Sequence, residues 1–253
     1  QYLFSMNNED FINRARKSVK ERWTVDTIIK KLIEMLDQSS KAENILFKAV
    51  YDLFFLYYPE AGTKLEEKDK FMEIMEGFSN RNSIKDNLDL SEDSMGYDLD
   101  KEDIEIIKNG VKEIMNMRSF KESIERRINE IIKEKYPNTY TVLGGVITAR
   151  LISIAGSIQK LAIMPSSKIQ ILGTENTVFL RGKKTPKYGV IFKTKLVQSV
   201  DDNVKGKTAK IVAGYASLAI KTDVFSKEDK SKDLLRKLEE EVKRARGNGK
   251  SDR

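Results

Sequence analysis

From Asp10 to Tyr58 the chain contains neither Gly nor Pro, and this unbroken stretch limits the possible folds more than any other feature. Its apolar residues Val25, Ile28, Leu32, Met35, Ala42, Leu46, Ala49, Leu53 and Leu56 recur mostly in steps of three and four, the spacing of one helix face. A polar gap from Asp37 to Lys41 interrupts the series, and Gln38-Ser39-Ser40 offers a turn there as the alternative. One long helix is the expectation, reaching roughly 70 Å at about 1.5 Å per residue. That exceeds what a compact domain accommodates and suits a coiled-coil arm.

Pro59 and Gly62 end this element. Leu65 to Phe78 reads as a short helix with Leu65, Phe71, Met72, Met75 and Phe78 as its apolar positions, and Asn80 to Asp100 as a connecting region. Asp100 then supplies an N-cap, with Asp103 three residues on. Ile104, Ile107, Val111, Ile114, Ile124, Ile128 and Ile131 follow at helical spacing, interrupted by Arg118 and Lys121, in a second long helix that stops before Pro137. Two such helices joined through a helical tip fold back as an antiparallel arm. Phe54, Phe55, Tyr57 and Tyr58 exceed what a two-helix seam needs. They are expected to pack under the tip, with self-association as the alternative.

Beyond Pro137 the composition changes. Of 46 basic and 39 acidic residues, 23 and 11 lie in residues 137–253, which leaves an acidic excess before that point. A basic half beside a mildly acidic half points to a polyanionic partner for the basic half. Val142 to Ala155 reads as a buried helix, with Ser157 to Ala162 as a second piece ended by Met164-Pro165-Ser166. Gly173 is a turn or cap. A small-residue helix follows from Gly206 to Phe225, with Lys205, Lys207 and Lys210 at its start, where the helix dipole favours an anion. Leu234, Leu235, Leu238 and Val242 mark a final amphipathic helix, with Glu239 to Glu241 and Lys243-Arg244 on its wet side.

The chemistry available is narrow. With no Cys there are no disulfides or thiolate metal sites, and with no His the commonest acid–base group and metal ligand are absent. Ser153 and Ser157 have no His to activate them. Gly144-Gly145 lacks dinucleotide-turn spacing, and Gly182-Lys183 lacks the glycine a P-loop needs. No catalytic residue, cofactor or metal is expected. No run of about 18 apolar residues suggests a membrane span. The segment Met164 to Phe192 instead combines a Gly turn, a Lys pair and Tyr188, which is suited to stack on an unpaired base. Its lysines are point charges for phosphate and not bidentate base readers, so sequence discrimination should be weak.

Several of these stretches, in this order, resemble the Nop domain of archaeal box C/D ribonucleoprotein (sRNP) scaffolds, nucleolar Nop proteins and a related splicing factor. They are Ala149 to Ser157, Met164 to Ser167, Ile169 to Gly173, Pro186 to Phe192, Lys205-Gly206-Lys207 and Thr222 to Ser226. The helices from about Arg14 to Tyr136 are similar to the family's coiled-coil domain, notably at Tyr57-Tyr58-Pro59-Glu60. Residues 1–9 read from their own sequence, QYLFS ahead of Met6, as a tag remnant or disordered; for the rest the resemblance implies an all-α fold, with 10–136 a long antiparallel coiled-coil arm, 137–226 a compact helical Nop domain, and 227–253 a charged helix and tail.

It also implies a non-enzymatic scaffold of a box C/D snoRNP-type particle guiding RNA 2′-O-methylation and rRNA processing. The head would clamp kink-turn guide RNA together with its small ribosomal-like protein, and the arm would dimerise. The family's fibrillarin-recruiting N-terminal domain is not in this sequence, so fibrillarin is expected as a partner only if that domain is restored. The RNA-binding residues carried over are Gly173, Thr174, Glu175, Asn176, Lys187 and Tyr188, beside Pro186 and Gly189, while charge and proximity add Arg181, Lys183, Lys184, Lys205 and Lys207. Thr174 and Asn176 depart from the family's Gly-Ala-Glu-Lys, and the missing Lys lowers the salt dependence by about one unit of slope. The location would be intracellular: cytoplasmic for an archaeal source, which the Lys/Glu-rich, Cys-free composition suggests, and nucleolar for eukaryotic relatives. A splicing-type snRNP factor, or a coiled-coil assembly module without RNA, is the alternative.

Overall fold

The computed structural model describes residues 8–90, 94–174 and 189–248. Every regular element among them is helical, which establishes the all-α class. In chain order these are α1 (Asn8–Arg22), α2 (Val25–Tyr57), α3 (Pro59–Lys64), α4 (Lys68–Met75), α5 (Arg81–Leu88), α6 (Lys101–Lys135), α7 (Pro137–Leu143), α8 (Gly145–Ala155), α9 (Ile158–Ala162), α10 (Ser166–Ile171), α11 (Lys195–Gln198), α12 (Asp202–Lys221) and α13 (Ser231–Asn248). A 3₁₀ turn at Val190–Lys193 precedes α11, and a π turn at Thr222–Ser226 follows α12. The chain divides into two compact units, residues 35–124 and the remainder.

Helix α2 runs unbroken through the polar gap, as expected. It begins only at Val25, however, because Thr24 and Thr27 cap each other: each backbone N–H faces the other's hydroxyl at 3.4 Å. Its buried face is also one residue out of phase with the expected stripe. Ile29, Ile33, Leu36, Val50, Phe54 and Tyr57 are buried, whereas Ile28, Met35 and Leu56 are exposed. Adjacent apolar pairs such as Ile28-Ile29 made both phases readable.

Within the unit of residues 35–124, α2 and α6 run antiparallel. Val50 sits where a side chain at Gly110 would collide with it, and Glu43 meets Arg118 and Lys121 further along. The expected α6 stripe is buried here at Ile107, Val111, Ile114 and Ile124, and Asp100 caps the helix through the N–H of Asp103 at 2.8 Å. Glu43, on the C-terminal side of α2's polar gap, binds the two cations that interrupt α6's stripe and Lys68 at 2.6 Å.

The aromatics pack under the tip: Phe54 lies edge-on to Phe71 and Phe78 at 5.3 and 5.7 Å, and Tyr57 and Tyr58 are buried. Phe55 stays exposed. Pro59 does not merely end α2 but starts α3, as its fixed φ allows. Residues 80–100 are not simply connecting. Asn80 and Ser83 form a capping box that opens α5, anchored by Ile84 and Leu88. From α5, Arg81 donates to the last α2 carbonyl, Tyr57, at 2.7 and 3.1 Å, a cation at a helix C-terminus.

In the other unit, the expected buried helix from Val142 to Ala155 is two helices. Gly144, at φ +76°, breaks it, and Gly145 lies so close to Asn129 that a side chain would not fit. Helix α12 is the central element and begins at Asp202, four residues earlier than expected. Val204, Ala209, Val212, Ala213, Ala216, Ala219 and Ile220 are buried along it, small enough for close packing. Leu234, Leu238, Val242 and Ala245 seal α13, and Glu239 to Glu241 face water as expected.

Two carboxylates stitch distant segments together here. Tyr136 gives no side-chain cap to α7, and Asp223 does so instead. It accepts from the backbone N–H groups of Asn138 and Thr139 at 3.1 and 2.8 Å, from the Asn138 amide at 2.7 Å and from the Thr139 hydroxyl at 2.6 Å. Asn138 in turn accepts from the Lys230 N–H at 2.7 Å, fixing the entry to α13. Asp26 accepts from the Tyr136 hydroxyl at 3.0 Å and the Ile158 N–H at 2.9 Å. Burial and the Asp26 charge push the Tyr136 hydroxyl well above its usual pKa.

Candidate nucleic-acid interface

The segment expected to face RNA is bounded by Gly173 and Gly189. Gly173 adopts φ +92°, and a side chain there would collide with Val190. A Cβ at Gly189 would lie 2.7 Å from the Leu172 carbonyl oxygen. The Val190 N–H donates to that same carbonyl at 2.8 Å. These contacts require glycine at both positions and bring the two ends of the segment together at the C-terminus of α10.

Of the expected RNA-facing residues, Glu175, Asn176, Arg181, Lys183, Lys184, Lys187 and Tyr188 lie outside the described residues. Gly173 is exposed. The Thr174 side chain is only 8% exposed, and its hydroxyl donates to the Ile171 carbonyl at 2.8 Å, closing the turn after α10. Lys205 and Lys207 both fall within the opening turns of α12. Lys205 is half-buried and pairs with Asp202 at 2.6 Å, and that ion pair holds the Asp202 carboxyl below its ordinary value. Lys207 is exposed.

Sequence reasoning missed part of the neighbouring surface. At the α9–α10 break, Ile163 is 76% exposed beside exposed Ser166, Ser167 and Lys168. Lys193 and Lys195, shortly after Gly189 in the chain, are exposed as well. The signal for Ile163 was present: an apolar residue directly before a Pro-containing break has no helix interior to enter.

A separate cleft of about 540 Å³ lies where α6 meets α7, lined by Tyr136, Asn138, Ile158, Asp223, Lys227 and Asp229 among others. Its Asp223 carboxylate is already engaged by four donors. No group of acidic residues suited to a metal ion occurs among the described residues, nor does any described helix have the length and apolarity to cross a membrane.

These features define a class of protein, an all-α chain of packed helices among the described residues. The family model for the Nop domain, described as "snoRNA binding domain, fibrillarin", matches residues 35–245. The chain belongs to the Nop domain family.

Nucleolar protein 58 of Schizosaccharomyces pombe is 30% identical over 222 residues, covering 81% of this chain and 44% of that protein. Nucleolar protein 56 of Caenorhabditis elegans is 26% identical over 226 residues, covering 80% and 46%. The chain thus spans under half the length of these relatives. Among solved structures, a chain of a fibrillarin/Nop5p complex shares the fold, with a TM-score of 0.56 at 21% identity over 95% of this chain and 81% of that one.

Proposed function

We propose that this chain is an RNA-binding scaffold of a box C/D-type ribonucleoprotein that guides 2′-O-methylation. The observation that carries this reading is the Nop domain match across residues 35–245. The head, residues 137–226, docks on kink-turn RNA together with its small ribosomal-like protein. The segment 173–189, with Arg181, Lys183, Lys184 and Lys187, supplies phosphate contacts, and Lys207 extends them. The chain acts as a scaffold and not as a catalyst.

The names of the nucleolar relatives favour a modification particle over a splicing one, and a nucleolar location in a eukaryotic cell. Fibrillarin, named with Nop5p in the related structure, is the protein partner that this reading brings to the assembly. Self-dimerisation falls to the helix-pair unit. There Phe55, Leu56, Met95 and Tyr97 are exposed around one shallow apolar cleft, more apolar surface than an isolated helix pair gains from.

Gel-shift titrations with kink-turn RNA test the reading. Binding to naked RNA should be weak and should tighten once the small kink-turn protein is present; equal affinity in both cases contradicts docking on a composite surface. Lys183→Ala combined with Lys184→Ala should flatten the dependence of log K on log salt by about one to two units. An unchanged slope removes those lysines from the interface.

A further inference from the structure

Helix α12 is packed on almost every side, yet one strip of it reaches water. Lys210, Gly214, Leu218 and Lys221 are exposed along it in steps of four, four and three, between buried or half-buried neighbours, and Phe225, in the π turn that follows, continues the line four residues on beside exposed Ser226. Leu218 is 52% and Phe225 65% exposed. The strip has cations on either side of Gly214 and Leu218, ends on apolar Phe225 and carries no acidic residue.

Gly214 has no internal reason to be glycine. Its φ is not positive, and a Cβ there would meet nothing within 4 Å. Mid-helix glycine costs about 1 kcal/mol relative to Ala, so the position gives up stability for a surface with no side chain. Such a surface lets another backbone come close.

We propose that this strip is a docking surface for an acidic amphipathic helix of a partner protein. The partner helix would cross at Gly214, lay its apolar residues on Leu218 and Phe225, and place carboxylates opposite Lys210 and Lys221. Those two lysines are about 16 Å apart along the axis, and charge complementarity selects acidic groups at that separation. A nucleic-acid backbone fits less well, because it would set phosphates against Leu218 and Phe225 and gain nothing from either. This surface does not depend on the RNA reading and stands if that reading fails.

The chain has no Cys, so Gly214→Cys places a single thiol at the centre of the strip. Its alkylation rate in the full chain is measured with a stapled helical peptide carrying Leu and Ala between carboxylates about 16 Å apart. The same measurement uses the peptide with those carboxylates replaced by Lys, and single-stranded oligo(U). Circular dichroism checks that the variant keeps its helicity, and Leu218→Cys serves as a second thiol position.

The acidic peptide should slow alkylation at both positions, and should leave a control thiol from Glu239→Cys, on the wet face of α13, unprotected. Adding Leu218→Asp to the Gly214→Cys chain should weaken the peptide about tenfold or more, since it sets a charge against an apolar contact. No protection, or equal protection by the lysine peptide, overturns the proposal. Protection by oligo(U) as strong as that by the acidic peptide makes the strip a nucleic-acid surface and overturns it equally.

Discussion

Glu43 and Asp223 are carboxylates at 2% and 9% exposure, one in each unit of the chain, and they are kept buried by opposite means. Glu43 is held by charge: Lys68, Arg118 and Lys121 converge on it from α4 and α6. Asp223 is held by hydrogen-bond donors without formal charge, two of them peptide N–H groups at the start of α7. The first arrangement suits two long helices that each need one polar layer to fix their register. The second suits a compact unit in which a short helix has no cap of its own and borrows one from a segment far along the chain. Ionic layers answer to salt, whereas a borrowed cap answers mainly to the loss of its acceptor.

The sharpest way to break this comparison is Asp223→Ala, which leaves two backbone and two side-chain donors buried without their acceptor. It should cost about 4 kcal/mol or more, measured by urea unfolding, with little dependence on added salt. A cost below about 1 kcal/mol would mean that α7 does not need this cap.

Glu43→Gln should cost about 3 kcal/mol near neutral pH. Burial pushes the Glu43 pKa up, but Lys121, Lys68 and Arg118 outweigh it and hold it at about 2, against 4.5 for the free side chain. The stabilisation is therefore complete above pH 4.5 and is lost as pH falls toward 2. Denaturation midpoints of the two proteins should converge across that window and in high salt; a constant gap would show that packing, not charge, sets the cost.

Tyr136→Phe should have the smallest effect, about 1.5 kcal/mol. It deletes one hydroxyl from Asp26, which keeps the Ile158 N–H. No measurable change in thermal midpoint would show that the backbone contact alone holds that carboxylate.

What the sequence made legible follows from how locally each signal is written. The α6 stripe and its Asp100 cap lie within a few residues of one another, and both were readable. The phase of α2 was not, because paired apolar residues satisfied two registers and only packing chooses between them. Helix α5 was hidden because its composition is polar and only Ile84 and Leu88 hold it down. The interruptions at Arg118 and Lys121 were visible, but their meaning required Glu43, on another helix. The Asp223 cap was not readable at all, since its partners lie 84 and 85 positions away. At the candidate interface, the glycines at 173 and 189 were visible as turn residues, while the burial of Thr174 depends on the closure between them. The exposed strip of α12 escaped notice because its small residues read as packing residues, and only the fold shows which of them face nothing.

That closure has a consequence for how the family can vary. Where the Val190 amide is anchored to the Leu172 carbonyl, two points far apart in sequence are tied side by side. Residues added or removed between them leave that tie, and the helices on either side of it, as they were. Doubling the number of intervening residues costs only about 0.6 kcal/mol of closure entropy, so length is nearly free there in thermodynamic terms.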